Sequence, residues 1–472
     1  MEIYLFNTLG STKQLFTPIT PGKVGMYCCG PTVYDYQHIG NLRTYIFEDL
    51  LKRMFFYNGY EVKHVDNITD VGHLVSDEDE GEDKMELGAE REGKSVWEIS
   101  KFYFDDFVKD LKRLNVIDPD IWCKATDHIK VQIELIQCLE KKGFIYVIDD
   151  GVYFDTSKYP DYGRMAKLDI EGLRAGARIE LIEGKKNKTD FALWKFSPKD
   201  KKRQMEWDSP WGVGFPGWHI ECSAMSMEYL GKHFDIHCGG IDHVPIHHTN
   251  EIAQSESCTG EKFVNFWVHG EFLIEADEGK MSKSKGEFLR LQTLVDKGYD
   301  PLDYRYFCLG TYFRKHLQFS WENLDTARNA YNRLKNRVLE FRKVADSSDL
   351  KKYTDEIEGY RQRFLEAIND DLGIPGGLAV VWEVVRNEIL PPKVRLDLLY
   401  EFDKVLGLGL KQVKEKGTRD IPEEILKLVE ERTSAKKAKN FKLADDIRNK
   451  IKEMGYELID KKDGVEVKPI KN

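Results

Sequence analysis

No apolar run in the sequence approaches the ~20 residues needed to cross a bilayer, which excludes a membrane-spanning helix. Met1-Glu2-Ile3-Tyr4-Leu5-Phe6 lacks the basic start and long apolar core of an export signal. Cysteine is sparse: there are eight, with Cys28 and Cys29 adjacent and the others scattered, which is no disulfide framework and predicts free thiols in a reducing cytoplasm. Internal repeats and long low-complexity tracts are also missing. Positive charge is in deficit, 71 Lys+Arg against 81 Asp+Glu, and a net −10 argues against non-specific polyanion binding.

What is present is the composition of a water-soluble globular protein, 41% hydrophobic and 32% charged with a mean hydropathy of −0.52. A chain of 472 residues exceeds the ~250–300 at which a single core stops growing, so three or four domains are expected. Charge is uneven along it. Residues 411–472 hold 17 Lys+Arg against 13 Asp+Glu, so a basic C-terminal piece follows an acidic remainder. Such a piece can touch phosphates, although a solvated helix face has the same composition.

The apolar run 24–29 followed by Gly30-Pro31-Thr32 has the profile of a buried strand entering a turn. His38-Ile39-Gly40-Asn41 then opens a helix, and a strand, glycine-bearing loop and helix N-terminus in succession make a phosphate site. Residues 60–70 predict a second strand ending in polar side chains, the end of a parallel strand where ligands bind. Residues 76–92, with nine acids, read as a solvated loop or exposed helix start without chemistry. Helical patterns cover 96–114 and 124–142, the latter stopped by Gly143. Asp150-Gly151 between β-type runs predicts a hairpin. From there to Trp211 the Gly-, Lys-, Asp- and Pro-rich text predicts an insertion projecting from a sheet domain. Residues 263–274 supply further strand, and Gly279-Lys280-Met281-Ser282-Lys283-Ser284-Lys285-Gly286 is a cationic loop suited to a polyphosphate or to plain solvent. Helical periodicity at 321–344, 355–371, 377–389 and 393–406, broken at Pro375 and Pro391-Pro392, predicts a bundle. A linker at 411–420 leads to a helical unit at 422–454, then Gly455 and a short polar tail.

The densest chemistry lies at 217–254, which contains six of the 12 histidines. Zn²⁺ accepts Cys sulfur, His nitrogen and Glu oxygen together. His247 and Glu251 stand four apart in a run that begins a helix, so both lie on one face and can grip one ion. Cys222 is a third ligand of the right type. A single buried histidine needs no metal, but this crowding of acid, imidazole and thiol in apolar text calls for a compensating cation.

His38-Ile39-Gly40-Asn41 with Lys280-Met281-Ser282-Lys283-Ser284 resembles the paired signatures of class I aminoacyl-tRNA synthetases. Met26-Tyr27-Cys28-Cys29-Gly30-Pro31-Thr32, Asn67-Ile68-Thr69-Asp70 and Gly217-Trp218-His219-Ile220-Glu221-Cys222-Ser223 extend the likeness to the cysteinyl-tRNA synthetase family over almost the whole chain. The resemblance implies an α/β Rossmann-like parallel sheet domain in two halves, 1–120 and 214–270, around a connective insertion at 121–213. A stem-contact region at 271–315, a helical bundle at 316–410 and an anticodon-binding domain at 411–472 follow. It implies zinc ligands at Cys29, Cys222, His247 and Glu251, which supplies Cys29 as the fourth and leaves Cys28 out. Catalytic roles fall on His38, Gly40, Lys280 and Lys283; ATP, with Mg²⁺, on His38, Gly40, Asn41, Asp242 and Lys283; cysteine on Gly30, Thr69 and Trp218; and tRNA on Lys436, Asp445 and Asp460. Two departures stand out: Asn41 occupies the second histidine position of the signature, and Pro245-Ile246 stands where Phe-Pro is usual before the His-His pair.

The implied activity is ATP-dependent activation of L-cysteine and its transfer to tRNA(Cys), by a cytoplasmic monomer with no membrane partner. Two other readings share features. A ligase joining cysteine to a glucosaminyl-inositol has the adenylate site but not the tRNA-binding end, and residues 316–472 speak against it. A zinc-stabilised tRNA-binding protein needs neither signature, and both are kept.

Overall fold

The computed structural model describes all residues except 73–83, 168–183, 199–201, 276–278, 281–288, 345–349, 415–422, 439, 462–463 and 470–472. An N-terminal hairpin, β1 (Tyr4–Asn7) with β2 (Thr12–Leu15), precedes the apolar run expected as a strand, which is β3 (Lys23–Cys28). The chain continues through β4 (Glu61–Ile68), β5 (Ile121–Lys124), β6 (Ile145–Ile148), β7 (Gly151–Phe154), β8 (Phe191–Phe196), β9 (Gly214–Pro216), β10 (Phe234–Gly240) and β11 (Val264–Gly270). Five of these make one parallel sheet in the order β11-β10-β3-β4-β5. Every residue of β10 is buried, as befits a strand with helices on both faces.

The winding of this sheet positions the site. From β3 the chain runs outward through the helix Ile39–Tyr57 to β4 and β5, then returns to build β10 and β11 on the other flank. β3 and β10 therefore meet at a topological switch point, where a crevice opens beyond the carboxyl ends of the strands. Alternation decides which side chains face which layer. Tyr27 and Cys29 join the core cluster that includes Ile220 and Cys222, whereas the Cys28 thiol faces Cys238 and Glu48 of the helix Ile39–Tyr57.

The Asp150-Gly151 signal is a hairpin: β6 and β7 pair antiparallel within a four-stranded sheet, β6-β7-β8-β9. Where a helix was expected from residue 124, Lys124 instead ends β5, the fifth strand of the central sheet, and Ala125–His128 is a 3₁₀ turn before the helix Ile129–Lys141. Asp70 imposes this turn by accepting from the Thr126 N–H at 2.9 Å and the Thr126 hydroxyl at 2.7 Å. The residue 263–274 text divides into β11 and β12 (Leu273–Glu275); β12 pairs with β13 (Gly279–Lys280) and β14 (Leu317–Phe319).

The helical bundle consists of Trp321–Lys343, Thr354–Asn369, Ile374–Arg386 and Pro392–Leu406. Pro375 does not break it; it occupies the first turn of Ile374–Arg386, where its missing N–H costs nothing. Arg305, fully buried, pairs with Asp49 at 2.5 Å and donates to Leu114 O at 3.0 Å and Leu406 O at 2.8 Å, tying bundle to sheet domain. The free-thiol expectation needs one correction: Cys138 and Cys258 form a disulfide, because the helices Ile129–Lys141 and His247–Thr259 bring their Cα atoms to 5.6 Å.

The chain divides into two compact units, Met1–Lys411 and Gln412–Asn472. In the second, the helices Glu423–Lys437 and Phe441–Glu453 carry an antiparallel hairpin, Tyr456–Lys461 with Gly464–Pro469, where a polar tail was expected. Alternation puts Leu458 in its small core.

Candidate active site and metal centre

At the switch point Cys29-Gly30 follows β3 directly, and the Cys29 N–H donates to Cys238 O of β10 at 3.2 Å. The Gly30 N–H donates to Asn67 Oδ1 at 2.8 Å, and Asn67 Nδ2 donates to the Thr69 hydroxyl at 3.0 Å. Asn67 thus organises the floor on which Gly30 and Thr69 sit. Its position at the end of a parallel strand is the signal the sequence offers for this role. The Trp218 ring packs against His247, centroids 4.3 Å apart and planes tilted by 33°, at the start of the helix Trp218–Leu230.

Cys29, Cys222, His247 and Glu251 come together, every donor atom within 4.8 Å of the others and every residue buried. His247 Nε2 lies 3.4 Å from Cys222 Sγ and 3.2 Å from Glu251 Oε1, the facing expected of an i,i+4 pair in the helix His247–Thr259. A second set, Cys29, His237, His248 and Glu251, overlaps the first. His237 Nε2 lies 3.0 Å from Glu251 Oε2 and orients that carboxylate, while Oε1 is buried with no hydrogen bond of its own. A relay extends outward: Thr8 Oγ1 to His269 Nδ1 at 2.7 Å, His269 Nε2 to His248 Nδ1 at 2.7 Å, and His248 Nε2 to Cys29 Sγ at 3.3 Å. Burial, helped by neighbouring imidazoles, holds His248 and His269 well below the usual histidine range, so both are neutral. Burial also pushes the Cys29 and Cys222 thiols up. Two thiols disfavoured as thiolates, beside a carboxylate oxygen lacking a donor, are a set that a cation completes.

The phosphate end is built around Ile39–Tyr57. His38 is its N-cap, with Nδ1 accepting from the Asn41 N–H at 3.1 Å. A β-carbon on Gly40 would fall 2.9 Å from His38 Nδ1, so glycine lets the imidazole fold over the helix end. Asn41 Oδ1 is buried without a partner. Arg43, one turn on, donates to the carbonyls of Glu271 at 2.7 Å, Phe272 at 2.5 Å and Lys315 at 2.6 Å, fixing this helix against the segments around β12 and β14. Asp242 stands in the 3₁₀ turn Ile241–His243 just past β10. Its Oδ1 would lie 2.3 Å from a β-carbon on Gly240. Lys280 ends β13 opposite Ile274, and Lys283 lies outside the described residues. In the second unit Asp460 is forked by Arg432 at 2.9 Å and by Lys436 at 2.7 Å, and Asp445 is exposed nearby.

Residues 15–329 match the family described as tRNA synthetases class I (C) catalytic domain. Cysteine–tRNA ligase 1 of Burkholderia lata is 52% identical over 468 residues, covering 98% of this chain and 96% of that protein. The cysteine–tRNA ligase of Treponema denticola is 49% identical, covering 98% of each. The chain belongs to the class I cysteine–tRNA ligases. Solved class I synthetases share the family's fold at far lower identity. Methionyl-tRNA synthetase of Mycobacterium tuberculosis bound by methionyl-adenylate aligns over 84% of this chain and 92% of its own, with a TM-score of 0.55 at 16% identity. The Agrobacterium radiobacter K84 LeuRS–tRNA–LeuAMS ternary complex aligns over 84% and 85%, with a TM-score of 0.60 at 11% identity.

Proposed function

We propose that this chain activates L-cysteine with ATP to cysteinyl-adenylate and transfers the cysteine to the 3′-terminal ribose of tRNA(Cys). The observation that carries the reading is the buried gathering of Cys29, Cys222, His247 and Glu251 at the switch-point crevice, in the same crevice region as Gly30, Thr69 and the N-terminus of Ile39–Tyr57. These four residues would hold Zn²⁺, in preference to the overlapping set, because Glu251 Oε1, without a hydrogen bond, lies 3.2 Å from His247 Nε2 while His237 already engages Oε2. Bound zinc takes a thiol as thiolate and a neutral hydroxyl poorly, a contrast between cysteine and serine that an apolar pocket, worth ~1–3 kcal/mol, does not supply.

The chain's own groups do the positioning. Asn67 holds Gly30 and Thr69 against the bound amino acid, and Trp218 closes the side beside His247. As the cysteine carboxylate attacks the α-phosphate, His38 and the helix N-terminus face the phosphates with their positive end. Lys280 and Lys283 neutralise departing pyrophosphate, which Mg²⁺ accompanies, and Asp242 and Asn41 hold the nucleoside. Adenylation of this kind is mainly orientation plus charge stabilisation. In the second step the basic C-terminal unit, with Lys436, Asp445 and Asp460 as contact positions, grips the tRNA. The near-complete overlap with relatives named cysteine–tRNA ligase supports a tRNA acceptor over a small-molecule one. We place the protein in the cytoplasm as a monomer; among the described residues no helix is long and apolar enough to cross a membrane.

Cysteine-dependent ATP–pyrophosphate exchange, followed by charging of tRNA(Cys), tests this. Both activities are expected, with serine a poor substrate; exchange without charging, or neither, refutes it.

A further inference from the structure

The described residues on either side of the cationic signature segment each make a defined contact. On one side Lys280 pairs with Ile274 across β12 and β13. On the other, Leu289 O accepts the Ile39 N–H at 2.9 Å, using one of the helix-end donors that the helix itself leaves unsatisfied. Arg290, the next residue, lays its guanidinium over the ring of Tyr36, 3.2 Å from guanidinium carbon to ring centroid. Asp106 lies 3.8 Å from Arg290 Nη2, a charge partner on the helix Val96–Arg113. The same helix holds Tyr36 edge-on: Tyr103 is T-shaped to it at 4.9 Å and Phe102 at 6.0 Å. Arg113 of that helix donates to Gln292 at 3.1 Å, just past Arg290.

Tyr36 stands two residues before His38, and Arg290 seven after Lys283. A stack between them therefore couples the two signatures, which belong to different parts of the chain. We infer that Tyr36 and Arg290 are positioning residues for adenylation: their stack anchors the end of the lysine-bearing segment to the His38 segment. The chemistry suits the residue types. A planar guanidinium lies flat on an aromatic face, and lysine, a point charge on a flexible stem, does not reproduce that fit. Gly30 and Thr69 are bonded through Asn67, and Trp218 packs against His247, so the cysteine end has its own supports.

The inference rests on the proposed adenylation, and the test separates the two. In full-length protein, Arg290→Ala and Tyr36→Ala are expected to lower kcat of cysteine-dependent pyrophosphate exchange about 2- to 30-fold, the range of one cation–π contact. KM for cysteine should stay within about twofold, because the loss is in alignment rather than in that pocket. The double variant should be no slower than the slower single one. Tyr36→Phe keeps the ring and should retain wild-type kcat, whereas Arg290→Lys should not recover it. Independently of activity, hydrogen exchange across residues 33–45 should quicken in Arg290→Ala, since the Ile39 N–H loses its anchored acceptor. Unchanged kcat in both alanine variants, multiplicative losses, or unchanged exchange at 33–45 overturns the anchor. A wild-type protein inactive in pyrophosphate exchange instead overturns the proposed function and leaves the hydrogen-exchange arm to decide the anchor.

Discussion

A β-carbon on Gly30 would fall 1.5 Å from the backbone oxygen of Asn67, so the turn that follows β3 runs against the end of β4 with no room for a side chain. That contact is what lets Asn67 Oδ1 take the Gly30 N–H while its amide reaches Thr69. It places backbone and small polar groups at the proposed cysteine site.

Gly30→Ala is therefore expected to abolish cysteine-dependent exchange, since the overlap is with backbone and cannot be relieved by a rotamer; strain of this kind costs about 1–3 kcal/mol or more. Asn67→Ala keeps the space and loses the bonds, leaving the half-buried Gly30 N–H without its acceptor, at a cost of up to about 1 kcal/mol. Steady-state kinetics should show its damage mainly in KM for cysteine, with KM for ATP little changed.

Metal content gives a second expectation. The purified protein should carry one equivalent of zinc, and Cys222→Ser should weaken cysteine binding far more than ATP binding. His237→Ala removes the group that orients Glu251 through Oε2 and should lower zinc affinity by about 10- to 100-fold, read by competition with a chelator. Full cysteine affinity in a metal-free preparation would contradict the assignment.

Lys283→Ala should lower the adenylation rate by more than it raises KM for ATP, the pattern of a contact that strengthens as charge develops on the leaving pyrophosphate. An unchanged turnover number would return the segment to the status of a surface loop.

Much of this was open to reading because the signals are local. His247 and Glu251 lie one helical turn apart, and the Asp150-Gly151 turn is decided by its own residues. Groups joined only by topology were not readable in that way. Cys29 entered the ligand set through resemblance alone, because nothing in the residues around Cys28-Cys29 shows that β3 lies beside β10. The His269–His248–Cys29 relay links β11, the His247–Thr259 helix and the end of β3. Cys138 and Cys258 are 120 residues apart and meet only through helix packing. The start of Ile129–Lys141 departs from its sequence pattern for a similar reason: Asp70, at another strand end, bends residues 125–128 into a turn. The C-terminal hairpin is different, since Asp463-Gly464 between alternating runs carried a local signal that a charged composition masked.

Asp460 gives a pH expectation. Hydrogen bonds from Arg432 and then Lys436 hold its carboxyl well below the usual aspartate range. A depressed folded pKa contributes stability that is complete above the unfolded value, near 3.9, and fades as pH falls through the folded one. Asp460 is 43% exposed, so screening reduces the benefit to about 1 kcal/mol. Asp460→Asn should destabilise the second unit by that amount at pH 7, and the gap from wild type should shrink as the pH is taken below about 4. Hydrogen exchange of the 456–469 hairpin at several pH values, corrected for intrinsic rates, would measure it; a gap that does not depend on pH would remove the ion pair from the argument.

The division of the chain at Lys411 lets one experiment test the proposed separation of adenylation from tRNA recognition. A truncation after Lys411 removes 16 Lys+Arg and 13 Asp+Glu and leaves the sheet, the donor cluster and both signatures in place. It also keeps Leu410 and Lys411, whose carbonyls accept from Arg342 at 2.6 and 2.9 Å, so the bundle retains its closing contacts. Pyrophosphate exchange should survive at close to the full-length rate. Charging of tRNA(Cys) should fall steeply, because phosphate contacts position the nucleic acid and base contacts in unpaired loops select it. The residual charging should depend less on salt, since each lost phosphate contact removes about 0.7–0.9 from the slope of log K against log salt. A folded truncated protein that charges tRNA at the full-length rate, with the full-length salt slope, would make the basic character of residues 412–472 a solvated surface and nothing more.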